Sequence, residues 1–166
     1  MIWEVIDTRK PEIVVVSETW LNNNIHNSEV LPTHYEVYRK DRKDGYGGVL
    51  IAVNNTLISQ DLEIKSDCEI VGTRIKYSKN TSLIVISVYR PPNNDETYAH
   101  AFANTIIDIC NKYTKDTIWV GGDMNLPDID WEENTITGNQ YKKEINELLK
   151  STIDDAGLVK GSKFPH

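Results

Sequence analysis

The sequence predicts an α/β fold built on a mixed sheet system, and three observations lead there. Short apolar runs rich in β-branched residues recur along the chain, as strands buried on both faces require. One further stretch alternates apolar and charged residues, as a strand with one wet face does. Between and after these runs lie two segments whose apolar residues recur at helical spacing.

Residues 1–9 begin the chain as the closing turns of a helix, with Ile2, Val5 and Ile6 on its apolar side. Ile13 to Val16 follows Lys10-Pro11-Glu12 as the first buried strand. Gly48 to Val53 is the second, and Asn54-Asn55 turns it. Val71, Thr73, Ile75 and Tyr77 alternate with Arg74 and Lys76 in the third. Leu83–Val88 and Thr117–Val120 complete five expected core strands.

The first internal helix places Tyr98, Phe102, Ile106, Ile109 and Tyr113 on one face. Asn94 or Asp95 caps it after the helix-incompatible Pro91-Pro92. The second places Tyr141, Ile145, Leu148 and Ile153 in a buried stripe and stops at Gly157. A length of 166 residues suits one domain. No repeat, linker or low-complexity segment divides it.

Composition excludes several classes. Hydrophobic residues make up 39% and charged residues 26%, which supports a packed core rather than disorder. No apolar run approaches the ~18 residues of a membrane span. The first residues lack a basic start and a long apolar stretch, so no secretory signal is read there. An intracellular setting, cytoplasmic or nuclear, is the expectation. Cys68 and Cys110 are read as buried free thiols rather than ligands or a disulfide. The net charge of −7 argues against coating nucleic acid by bulk electrostatics. It leaves room for an enzyme whose carboxylates hold a metal at a phosphate.

In such folds ligands sit at the C-terminal ends of strands. The first strand ends in Ser17-Glu18-Thr19-Trp20. A carboxylate directly after an apolar run must face a cation or solvent. Leu83–Val88 ends in Tyr89-Arg90-Pro91-Pro92, leaving a phenol and a guanidinium at the sheet lip. They could bind phosphate oxygens, or Tyr89 could cap the core while Arg90 is salt-bridged. Thr117–Val120 ends in Gly121-Gly122-Asp123-Met124-Asn125. If the chain stays extended, Asp123 and Asn125 share a side and could orient water and stabilise phosphoryl charge. An ordinary turn is the alternative. Three polar strand ends together favour one shared site.

In order along the chain stand SETW after IVVV, RKDRKDGYGGVLIAV, VYRPPN and GGDMNLPDIDW. From about Pro11 onward this resembles the endonuclease/exonuclease/phosphatase superfamily, the deoxyribonuclease-I-like fold. Within it the chain is most similar to the apurinic-endonuclease-like domain of non-LTR retrotransposons. The resemblance implies a four-layer sandwich of two mixed sheets flanked by helices. It implies Mg²⁺- or Mn²⁺-dependent hydrolysis of a phosphodiester in double-stranded DNA. By motif match, Glu18 would ligate the metal and Tyr89 would contact the scissile phosphate. Asp123 would orient or deprotonate the attacking water, and Asn125 would stabilise the transferring group. A reverse transcriptase would be encoded downstream.

The family's asparagine on a first strand, its Ser-Asp-His motif and the aspartate preceding that motif have no match here. His26 and His34 read as solvated loop residues and His100 as a helix-surface residue, while His166 is terminal without the motif. Loss of such a histidine typically costs ~10²–10⁴ in rate. The expectation is therefore a domain truncated at both ends, with little or no activity alone. The rivals are a superfamily member acting on another phosphoester and a non-catalytic remnant or binding module.

Two other features stand apart. Arg39, Lys40, Arg42 and Lys43 precede the turn Asp44-Gly45-Tyr46-Gly47-Gly48. With Arg90, Arg42 is a candidate contact for the DNA backbone, against the reading of a solvated strand interleaved with Asp41 and Asp44. The glycines are no phosphate loop, because a strand rather than a helix follows. Asp128, Asp130, Glu132 and Glu133 read as a solvated acidic loop anchored by Trp131, with a second cation site as the alternative.

Overall fold

The structure is a computed structural model that describes residues 2–42 and 45–158, with backbone alone for residues 2–4. The Ile2 side chain, Lys43, Asp44 and His166 lie outside the described residues. The elements run α1 (Ile2–Arg9), β1 (Ile13–Ser17), α2 (Asn27–Val30), β2 (Tyr35–Lys40), β3 (Val49–Asn54), β4 (Ile58–Asp61), β5 (Glu69–Lys76), β6 (Ser82–Tyr89), α3 (Glu96–Lys112), β7 (Thr117–Asp123), β8 (Ile129–Asp130), β9 (Thr135–Ile136) and α4 (Lys143–Asp155). They fall into two compact units, Met1–Pro91 with Tyr113–Met124, and Pro92–Lys112 with Asn125–His166.

The first unit holds two sheets, ordered β1-β3-β2 and β4-β5-β6-β7. Strand alternation divides their side chains between faces. Val49, Ile51 and Val53 of β3 pack with Tyr38, Val71, Ile75, Leu83, Val85 and Tyr89 between the sheets. Leu50 and Ala52, on the other face of β3, pack with Ile6 of α1 and with Leu21, Leu31 and Tyr35. The unit is thus layered as helix, sheet and sheet. Ser87 ties the sheets by donating its hydroxyl to Val16 O at 3.0 Å.

All five expected strands form, but their burial differs. The first sheet is antiparallel throughout its described strands, and only the second is mixed, through the parallel pair β6–β7. β1 is half-buried rather than enclosed, because it pairs on one side only. β7 is likewise terminal in its sheet, and Trp119 is exposed there. β5 is drier than its charges suggest: only Arg74 and Lys76 are exposed, and Arg74 pairs with Asp116 at 3.3 Å. Val5 faces solvent, so Ile6 alone of the described side chains in its helix enters the core.

In the second unit α3 and α4 pack on each other. Asp95 caps α3, its Oδ1 accepting from Tyr98 N at 3.0 Å. The buried stripe of α4 is Ile145, Leu149 and Thr152 rather than Leu148 and Ile153. Gly157, at φ +65°, ends α4, with Leu158 N donating to Ile153 O and Gly157 N to Asp154 O.

Asp128 departs most from the sequence reading. It is buried, and its carboxylate accepts from Gln140 N at 2.9 Å, Tyr141 N at 2.7 Å and Asn146 Nδ2 at 2.8 Å. It joins the β8–β9 segment to the start of α4, and is no solvated loop acid. Asp130 does form the turn, accepting from Glu132 N and Glu133 N. Burial pushes the Asp128 carboxyl up, but the three donors outweigh it and hold it below the ordinary carboxylate range. A lowered folded-state value gives stability that is present above the unfolded value and lost as pH falls through the folded one. Asp128→Asn should therefore destabilise this unit at neutral pH and flatten the dependence on acid. Circular dichroism melts at stepped pH check this.

Candidate active site

The second sheet sets three polar residues on one rung. Glu69 opens β5 opposite Tyr89, and Tyr89 ends β6 beside Asp123, the last residue of β7. Residues paired across strands present their side chains on the same face. The Tyr89 ring lies in the core between the sheets, while its hydroxyl donates to the Glu18 carboxylate. The reading of Tyr89 as a cap on the core holds for its ring, while its phenol reaches the lip.

Glu18 arrives from the other sheet. The chain leaves β1 through a left-handed turn, with Glu18 and Trp20 both at φ +53°. Thr19 N and Trp20 N donate to Gly48 O and Gly47 O at 3.2 and 2.9 Å, so the loop before β3 holds this exit in place. Glu18 and Asp123 are exposed. The first two of the three strand ends therefore meet at Tyr89, and Asp123 stands next to it.

Burial raises the Tyr89 pKa most, followed by its hydrogen bond to Glu18 and the negative charges of Glu18, Glu69 and Asp123; together they push it up to about 12. The phenol is thus a fixed proton donor at any physiological pH.

Glu69 is the site residue that the sequence reading missed. It is buried, accepts from Gly48 N at 2.5 Å and lies 3.6 Å from Arg42. Its signal was the one that marked Glu18, a carboxylate at the end of an apolar run, but at the start of a strand rather than its close. Gly47 permits the packing. A Cβ there would land on the Glu69 carboxylate and within 3.2 Å of the Tyr89 ring.

Gly122 permits the other side of the rung. It sits at φ +129°, and a Cβ would collide with Val88 O of β6. The expectation of an extended path through Asn125 does not hold. Asn125 turns left-handed at φ +48°, is half-buried and belongs to the second unit.

Arg90 is corrected. Its side chain has no exposed surface, its Nε donates to Met124 O at 2.7 Å, and its N donates to Asp123 O at 2.9 Å. It clamps the exit of β7 instead of reaching for DNA. Arg42 keeps a partly open side chain beside Glu69. Arg39 is held by Asp41 at 3.1 Å and donates to Ile25 O at 2.8 Å. Lys40 donates to Ser66 O, and burial lowers its pKa. The histidines fall as read: His26 is exposed at the start of α2, His34 is exposed against Tyr35, and His100 is exposed on α3. Cys68 is buried and Cys110 half-buried, neither in a disulfide, and burial pushes the Cys110 thiol up.

The donors fit a hard cation only in part. Glu18 offers an exposed carboxylate, whereas Glu69 is already engaged. Among the described residues no three His, Cys, Asp or Glu side chains group to enclose a metal. An ion held here would keep most of its shell as water, as Mg²⁺ does.

Residues 83–162 match the family described as Endonuclease-reverse transcriptase. Three solved structures share the fold. The endonuclease domain of TRAS1, a telomere-specific non-LTR retrotransposon, aligns at 18% identity and TM-score 0.65, covering 94% of this chain and 66% of that one. The chain shares the fold of this domain. The 3′ phosphatase NExo from Neisseria, bound to a product DNA hairpin, aligns at 15% identity and TM-score 0.63, covering 91% and 63%. An AP endonuclease from Archaeoglobus fulgidus aligns at 17% and 0.61, with the same coverage. The chain thus spans a little under two thirds of these structures. No curated protein matches the sequence. The α/β class expected from the sequence is borne out. No helix among the described residues is long and apolar enough to cross a membrane.

Replacing Glu18 by Gln removes one charge and the strongest acceptor from the phenol. The Tyr89 titration, followed by ¹³C NMR of labelled tyrosine, should move toward lower pH. An unmoved titration would contradict the Glu18–Tyr89 bond.

Proposed function

We propose that this chain supplies part of a divalent-metal-dependent phosphodiesterase of the retroelement type, which nicks double-stranded DNA. The observation that carries it is the convergence of Glu18, Glu69 and Asp123 on one protonated phenol at the end of a sheet. Two exposed carboxylates, Glu18 and Asp123, with buried Glu69 beside the same phenol, concentrate negative charge where a cation would be held. The likeness to the endonuclease domain of TRAS1 and the Endonuclease-reverse transcriptase match support the same reading. A reverse transcriptase downstream in a parent polyprotein, and an intracellular setting in the cytoplasm or nucleus, belong to this proposal.

The roles follow from position. Glu18 holds Mg²⁺ or Mn²⁺, which when bound supplies positive charge to a phosphoryl oxygen. Tyr89, whose phenol donates to Glu18, would be the donor to the scissile phosphate. Asp123, exposed on the neighbouring strand, orients the attacking water and accepts its proton. Asn125, two residues along the chain, takes the family's role of stabilising the transferring group by motif position alone. Arg42 meets the DNA backbone at the rim. Glu69 holds Arg42 and Gly48 as a positioning residue.

No histidine here stands with an aspartate in the family's motif. The chain alone should therefore nick supercoiled plasmid at a trace rate, roughly 10²–10⁴ below a domain with that pair. Calorimetry should detect Mg²⁺ or Mn²⁺ binding that Glu18→Gln removes, and Asp123→Ala should abolish the trace nicking. Vigorous nicking that depends on Asp123 would overturn the low activity proposed for the chain alone. Absence of both metal binding and DNA binding would overturn the function.

A further inference from the structure

Trp20 and Tyr46 are exposed by 58% and 65%, yet they are not scattered surface residues. Their rings meet edge to face, with centroids 5.7 Å apart. The other exposed large apolar residues, Val5, Ile58, Tyr77 and Trp119, form no such pair among the described residues.

The pair is built into the site's own backbone. Trp20 stands two residues after Glu18 and donates its N–H to Gly47 O at 2.9 Å. Tyr46 directly precedes Gly47, the residue packed on Glu69 and Tyr89. The two rings therefore rise from the two segments that fix Glu18 and the phenol.

Holding Trp20 there is unfavourable for the fold by itself. A bulky aromatic at φ +53° is a backbone outlier, and its ring gains little burial in return. Such strain at a site calls for a ligand. Flat, exposed aromatic faces beside a phosphate-handling group suit a nucleobase, because every base offers a π-face. An inositol or other sugar phosphate offers none.

We propose that Trp20 and Tyr46 form a stacking platform for a nucleobase flanking the scissile phosphate. The site then takes a polynucleotide with at least one unstacked base beside the cut. This rests on the phosphodiesterase reading above and narrows its substrate.

Fluorescence anisotropy of labelled oligonucleotides in Ca²⁺ tests it apart from catalysis. The unaltered protein should bind a single strand more tightly than the same strand with abasic residues. Trp20→Ala and Tyr46→Ala should each weaken binding to the normal strand by roughly 5- to 150-fold. Neither should change binding to the abasic strand, and Trp20→Phe should retain most of the affinity. Equal binding of normal and abasic strands by the unaltered protein would overturn the platform, and needs no variant. So would alanine variants that melt normally and bind as before. A chain that binds through the pair but takes up neither Mg²⁺ nor Mn²⁺ would count against the function and leave the platform standing.

Discussion

Glu69, Tyr89 and Asp123 share a rung because β5, β6 and β7 keep a single register across the sheet. Every feature of the candidate site hangs on that alignment. A slip of one residue would turn the phenol to the far face and draw its ring out of the core between the sheets. The apolar stretch of β6 resists such a slip, since Leu83, Val85 and Tyr89 share the inner face. Packing thus aims the hydroxyl, and the polar groups inherit their positions from it.

The first sheet brings Glu18 to the site from a different part of the chain, through a left-handed turn at the end of β1. Glu18 and Trp20 adopt left-handed geometry where β1 ends, and the carbonyls of Gly48 and Gly47 accept the amide protons of Thr19 and Trp20. Gly48 also donates its own N–H to Glu69. The loop before β3 therefore links the exit of β1 to the start of β5. Arg90 makes the corresponding link at the exit of β7, bonding to Asp123 O and Met124 O. In both places backbone groups at strand ends, which would otherwise need water, are satisfied by the elements that carry the acids.

The strands and both long helices were legible because apolar periodicity reports directly on burial. Glu18, Tyr89 and Asp123 were legible because each breaks an apolar run at its end. Their convergence was not, since pairing between distant strands leaves no local trace. Glu69 was missed for its place at a strand's start. Asp128 looked like one acid among four, and nothing nearby in sequence announces donors from Gln140, Tyr141 and Asn146. Arg90 was misread because burial of a guanidinium depends on carbonyl acceptors that the fold alone assembles. The edge positions of β1 and β7 were hidden for the same reason: an apolar run does not say how many neighbours its strand will have.

A single site gathered around Tyr89 is what unites these features, and paramagnetic line broadening by Mn²⁺ reports on it most directly. In a ¹H–¹⁵N NMR spectrum with a small fraction of an equivalent of Mn²⁺, the amides of Glu18, Tyr89 and Asp123 should broaden first and together. Broadening centred on the acidic loop from Asp130 to Glu133, or spread evenly over surface carboxylates, would contradict the account.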